Sequence, residues 1–104
     1  MILVTIRSKE EKIEEISVTG HSGYAKAGAD IVCSAVSTAM YVSLGVISKV
    51  CPKYDFQGDE KKASMILKIF ETNEMTNLVL ENLLTTLQGI EEDYKQYLQI
   101  QIIK

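Results

Sequence analysis

Apolar and polar residues alternate one by one over residues 1–7, MILVTIR, with Ile2, Val4 and Ile6 on one side and Leu3, Thr5 and Arg7 on the other. A period of two is that of a strand. SKEEK reads as a polar turn, and residues 12–19, KIEEISVT, resume the alternation with Ile16 and Val18 inward. Together the two segments predict a β-hairpin. Residues 20–29 are a loop of Gly, Ala, Ser and Lys with one Tyr. From Ile31 the apolar positions switch to helical spacing: Val32, Ala35, Val36, Ala39, Met40, Ser43, Val46, Ile47 and Val50. Ser34, Ser37, Thr38, Tyr41, Gly45 and Ser48 take the other side of that helix. Asp30 is the residue type that caps a helix start, and Pro52 ends the segment.

Residues 53–57 and 62–70 predict a second hairpin, turning at Gly58-Asp59, with Ala63, Met65, Leu67 and Ile69 alternating against Ser64, Ile66, Lys68 and Phe70. Thr72 or Asn73 caps a second helix whose stripe is Met75, Leu78, Val79, Leu83, Leu87, Ile90 and Tyr94. The last segment, YLQIQII, alternates again through Leu98, Ile100 and Ile102. The order is ββαββαβ. It predicts an α+β fold of about five mostly antiparallel strands, with two helices covering the apolar face of the sheet. A chain of 104 residues fits one domain, residues 1–104.

Composition narrows the function classes. With 46% hydrophobic residues the chain can build a core, so disorder is excluded. A net charge of −3 argues against a general phosphate-backbone binder, and no direct nucleic-acid binding is expected. No apolar run reaches the roughly 20 residues that span a bilayer. Residues 31–47 come closest, interrupted by Ser34, Ser37, Thr38 and Ser43, so no membrane partner is expected. The N-terminal segment lacks a basic region before its apolar part and reads as a strand rather than a signal peptide. A cytoplasmic location follows as the default, where two cysteines are expected as free thiols.

The chemistry concentrates in TGHSGYAKAGADIVCSAVS, residues 19–37. It holds the only histidine, His21, and one of two cysteines, Cys33. His21 lies at the end of the second predicted strand. With Asp30 as cap, Cys33 is the third residue of the helix. Its sulfur then sits in the first turn, near free backbone N–H groups and the positive end of the helix dipole, a setting that favours thiolate. The same N–H groups can stabilise an oxyanion. A cysteine nucleophile with a histidine base suffices for amide cleavage. The plain alternative is a core cysteine and a solvated histidine. One His and two Cys give no standard metal spacing, so neither metal nor cofactor is expected. Cys33 and Cys51 lie eighteen residues apart without C-x-x-C, and Cys51, just before Pro52, reads as structural.

GHSGYAKAGADIVCSAVS resembles the motif of the Prp family, the bacterial ribosomal-processing cysteine proteases, G-H-x-G-Y-A-x-x-G-x-D-I-V-C-x-A-V-S. Gly20, His21, Gly23, Tyr24, Ala25, Gly28, Asp30, Ile31, Val32, Cys33, Ala35, Val36 and Ser37 fill their places. Ser22 and Ser34 stand where alanine is often seen. Length and element order resemble the family as well. The resemblance implies a thiol endopeptidase of ribosome biogenesis. It would remove a short, hydrophobic, aromatic-containing N-terminal extension from a large-subunit ribosomal protein. It also implies a Cys33/His21 dyad and a cytoplasmic homodimer.

On that reading Asp30 and Ser37 are supporting residues. Asp30 caps the helix and so positions Cys33, with an orienting role toward His21 as the second possibility. Ser37, four residues after Cys33, shares its helix face. Its hydroxyl either lines the pocket or bonds back to the helix, the commoner use. Gly20, Gly23, Tyr24 and Gly28 form a substrate loop, the glycines supplying backbone freedom and Tyr24 a ring for an aromatic substrate side chain. Val36 and Met40 are expected in the core. Two other functions stay open on the residues alone. One is a non-catalytic ribosome-assembly or peptide-binding module that adds a peptide strand at a sheet edge. The other is a redox-sensing thiol protein.

Overall fold

The structure is a computed structural model and describes residues 1–21 and 30–104. Its elements are β1 (Ile2–Lys9), β2 (Lys12–Thr19), α1 (Ile31–Val50), β3 (Lys53–Asp59), β4 (Ser64–Glu71), α2 (Glu74–Asp93) and β5 (Leu98–Ile103). The predicted ββαββαβ order is the observed one. The five strands form one mixed sheet in the order β3-β4-β2-β1-β5. All neighbours are antiparallel except β1 and β5, which run parallel.

Register builds the core. Phe56, Leu67, Ile16 and Ile6 align across the sheet in one row, which ends at the exposed Ile102. Gly58, Met65, Val18, Val4 and Ile100 align in the next. Aligned residues share a face, and this face meets Val32, Val36, Met40 and Ile47 of α1 and Leu80, Leu83 and Leu87 of α2 in one cluster. Each such side chain contributes about 1.5–3 kcal/mol on burial. That burial outweighs the weak helix propensity of the β-branched residues in α1.

The period-two pattern of β2 places Ile16 and Val18 inward but leaves Ile13 on the opposite face. A bulge corrects this. Arg7 pairs with Glu15, yet Ser8 pairs with Ile13, so Glu14 is an extra residue. One extra residue flips the faces, and Ile13 joins the core. The second hairpin turns later than predicted. Gly58 and Asp59 belong to β3, and Asp59 Oδ1 accepts the N–H groups of Lys61 and Lys62 at 3.0 and 3.2 Å to shape the turn beyond. Strand pairing of Asp59 with Ser64 overrides the turn preference of Gly-Asp.

Asn73 rather than Thr72 caps α2, accepting the Thr76 N–H at 2.8 Å. The predicted stripe is out of phase at this end. Met75 and Leu78 are exposed, while Thr76 and Leu80 are fully buried. The burial of Thr76 leaves its hydroxyl without a hydrogen-bond partner among the described residues. At 20 residues α1 is long and apolar enough to cross a membrane by length and composition, which corrects the expectation that no segment reaches that threshold. Its stripe Val32, Val36, Met40, Ser43 and Ile47 is buried in this domain. Cys51 caps α1, and its thiol reaches the Glu71 and Lys53 carbonyl oxygens at 3.3 and 3.6 Å, tying the helix end to β4 and β3. That is the structural part expected of it.

The two-residue turn between β1 and β2 carries Glu10 and Glu11 at φ of 53° and 64°. Both sit in the left-handed region, which Asn and Gly tolerate and glutamate does not. Replacing Glu10-Glu11 by Asn-Gly is expected to stabilise the fold by about 1 kcal/mol. Denaturant unfolding checks it: an unchanged or lower midpoint would show that this turn stores no strain.

Candidate active site

The site is assembled from the end of β2 and the start of α1. Thr19 is the last residue of β2, and Gly20 follows with φ of +91°. Its N–H donates to the Ala63 carbonyl at 3.0 Å, and a Cβ built on it would lie 2.6 Å from the Met1 carbonyl oxygen. Only glycine fits such a conformation so close to another backbone. Gly20 is therefore a fixed pivot rather than a freely moving joint, and it sets the direction in which the chain delivers His21. His21 itself is exposed. Gly23, Tyr24 and Gly28 of the expected substrate loop lie outside the described residues.

On the other side Asp30, only 6% exposed, opens α1. Its Oδ1 accepts the N–H groups of Val32 and Cys33, each at 3.0 Å, and its carbonyl accepts the Ser34 N–H at 3.1 Å. The expected cap is thus observed, with Cys33 the third residue of the helix. The cap also corrects one expectation. The Cys33 N–H is already bonded to Asp30, as are those of Val32 and Ser34, so these first-turn groups are not donors for an oxyanion. Cys33 is a half-buried free thiol.

His21 and Cys33 open on the same cleft, a hollow of about 720 Å³. Val18, Val36 and Ile2 line its apolar side. Val36, expected only in the core, serves both. Met40 is core alone, at 1% exposure. Ser37 lines the cleft with Cys33. Among the described residues its hydroxyl makes no back-bond to the helix, so the commoner use of a helical serine is not the one found here.

Sequence reasoning attached no function to the second hairpin, yet β3, β4 and their turn supply the far wall of the cleft through Phe56, Gly58, Asp59, Glu60, Ser64 and Met65. Tyr41 completes that wall from α1, its ring edge-on to Phe56 with centroids 6.0 Å apart. Adding a Cβ to Gly58 would bring it to 3.4 Å from the Phe56 ring. The spacing Cys33, Ser37, Tyr41 could have announced Tyr41. Nothing local announces Phe56, because only the strand order brings β3 to this end of α1. Among the described residues no group of His, Cys, Asp and Glu is placed to hold a metal ion.

The arrangement can support thiol chemistry on a chain lying in the cleft. A thiol is held by a capped helix turn, an imidazole follows a rigid glycine pivot, and an apolar and aromatic wall can receive a peptide side chain. The comparisons with known proteins agree. The family model described as cysteine protease Prp matches residues 1–99. The ribosomal processing cysteine protease Prp of Staphylococcus aureus (strain Mu50 / ATCC 700699) is 28% identical over 103 residues, covering 96% of this chain and 97% of that protein. The protein of the same name from Bacillus subtilis (strain 168) is 28% identical over 110 residues, covering 96% of each. A crystal structure of the Staphylococcus aureus protease, in complex with a covalently linked product peptide, superposes with a TM-score of 0.91 at 27% identity. The match covers 98% of this chain and 99% of that one. With the fold and a family match along nearly its whole length, this chain belongs to the Prp family of cysteine proteases.

Proposed function

We propose that this chain, as one domain over residues 1–104, is a cytoplasmic endopeptidase of ribosome biogenesis. It removes a short N-terminal extension from a large-subunit ribosomal protein. The observation that carries this reading is the opening of Cys33 and His21 on one cleft. Cys33 attacks the scissile carbonyl, forming a carbon–sulfur bond, while His21 takes the thiol proton. As the carbon–nitrogen bond breaks, His21 returns the proton to the leaving amine. Water then hydrolyses the thioester, with His21 again as base. The Asp30 cap holds the nucleophile's turn in place. With the Val32, Cys33 and Ser34 N–H groups engaged, the Ser37 hydroxyl, which lines the cleft with Cys33, is taken as a donor to the oxyanion. Support for a peptide substrate comes from the Staphylococcus aureus relative, whose structure holds a covalently linked product peptide. The same reading takes the chain as a homodimer, in which exposed apolar residues of the helices such as Val42 and Leu78 would be covered.

Mass spectrometry of the organism's own candidate ribosomal protein, with its extension, tests the reading. Wild-type protein is expected to make a single cut. Cys33→Ala and His21→Ala are each expected to lose cleavage by a factor of about 10³ or more while keeping the wild-type melting temperature. Turnover retained in pure Cys33→Ala protein would remove Cys33 from the mechanism. Binding of the extension without any cut by the wild type would instead favour a peptide-binding module.

Asp30→Ala is expected to cost about 1–2 kcal/mol of stability through the lost cap and to lower kcat. Asparagine caps as well as aspartate, so Asp30→Asn should recover most of both. An Asn variant with wild-type melting and no activity would show that the charge acts on the reaction rather than on the helix. Gly20→Ala should destabilise by about 1–3 kcal/mol and reduce cleavage. Unchanged melting and turnover would show that the pivot is not rigid.

A further inference from the structure

The face of α1 that carries Cys33 continues past the cleft. Cys33, Ser37, Tyr41, Gly45 and Ser48 follow one another at spacings of four, four, four and three residues, which sets them in one column along the helix. The first three line the cleft. Tyr41 then also lines a second hollow, of about 570 Å³, with Gly45 and Ser48 on the helix side and Tyr54 and Asp55 on the β3 side. Phe56 belongs to both hollows as well, so the Tyr41–Phe56 ring pair stands between the two. The column from Cys33 to Ser48 spans fifteen residues, about 22 Å at 1.5 Å each. An extended chain covers that length with about seven residues.

Two features of this groove suit a peptide. β3 is an edge strand, and an edge offers a row of backbone groups to an extended chain. On the opposite edge the Ile100 N–H of β5 is already taken by the Glu91 carboxylate at 2.6 Å. Gly45 is the second feature. A glycine in the middle of a helix is unfavourable, and no crowding requires it here: a Cβ at this position would meet nothing within 4 Å. The missing side chain leaves open space in the second hollow.

We propose that the groove between α1 and β3 is an extended subsite of the protease. It holds about seven residues on one flank of the scissile bond as an added strand along β3, over the clear floor that Gly45 provides. The proposal rests on the peptidase reading of the cleft. It assigns Gly45 and the outer edge of β3 to substrate selection, distant from the reacting atoms.

The test compares Gly45→Leu with Gly89→Leu. Gly89 is likewise in a helix with nothing within 4 Å of a built Cβ, but it lies on α2, away from the groove. Leucine is a better helix former than glycine, so neither variant should melt below the wild type. Where Gly45→Leu does so, Gly45→Ala takes its place. Two substrates are used: the ribosomal protein with its whole extension, and a short peptide that spans the scissile bond but is cut back on both flanks. Gly45→Leu is expected to raise KM for the long substrate about tenfold or more with kcat unchanged, to leave the short peptide unaffected, and to match the wild type in oligomeric state. Gly89→Leu should change neither substrate. An unchanged KM for the long substrate, or an equal loss on both substrates, would overturn the proposal. So would a change in oligomeric state with peptide affinity intact, which would make the groove a contact between copies. If the wild type cuts neither substrate, the peptidase reading fails by itself. Fluorescence anisotropy of the extension peptide then decides the groove, since weaker binding to Gly45→Leu alone supports it and equal binding overturns it.

Discussion

The pair of hydrogen bonds from Val32 and Cys33 to one oxygen of Asp30 sets the starting point of α1. A helix has only one phase once its first turn is placed. Starting it at Ile31 sends Val32, Val36, Met40, Ser43 and Ile47 into the sheet and leaves Cys33, Ser37 and Tyr41 along the cleft. A start displaced by one residue would rotate every position by about 100°. In either direction it would take Val32 out of the core, and in one it would bury the Cys33 thiol. The cap thus fixes both which side chains enter the core and which line the cleft, and Asp30 itself is buried.

Using one helix for both core and site has a chemical consequence. In many thiol enzymes the N–H groups at a helix start are free to hold developing charge. Here the cap has taken those of Val32, Cys33 and Ser34. Placement of the sulfur by the cap thus takes up those three donors. The imidazole is placed by a different device. Gly20 is pinned between Met1 and Ala63, with no room for a Cβ, so the histidine enters the cleft from a strand end anchored to the sheet.

Much of this was legible in the order of residues because it depends on periodicity and on local capping. The switch from period two to period 3.6 located all seven elements, and Asp30 marked where α1 begins. The family motif pointed to His21 and Cys33. The misplacements have physical causes. Met75 and Leu78 look like core because they are apolar, but the path of α2 over the sheet buries Thr76 and Leu80 instead. Gly58-Asp59 looks like a turn, yet pairing with Met65 and Ser64 extends β3 through it. Ile13 reads as outward until the bulge at Glu14 turns it.

The sequence by itself determined the elements, the capped start of α1 and the residue types able to do thiol chemistry, because each rests on neighbours within a turn or two of chain. Tertiary structure alone decided that β3 and β4 form the far wall of the cleft, with Phe56 against Tyr41. It also decided that the column running on to Gly45 and Ser48 has an edge strand beside it. Those contacts depend on strand order and on the crossing of α1 over the sheet. Both are settled by which apolar faces can be buried together, and no local stretch of the chain encodes that choice.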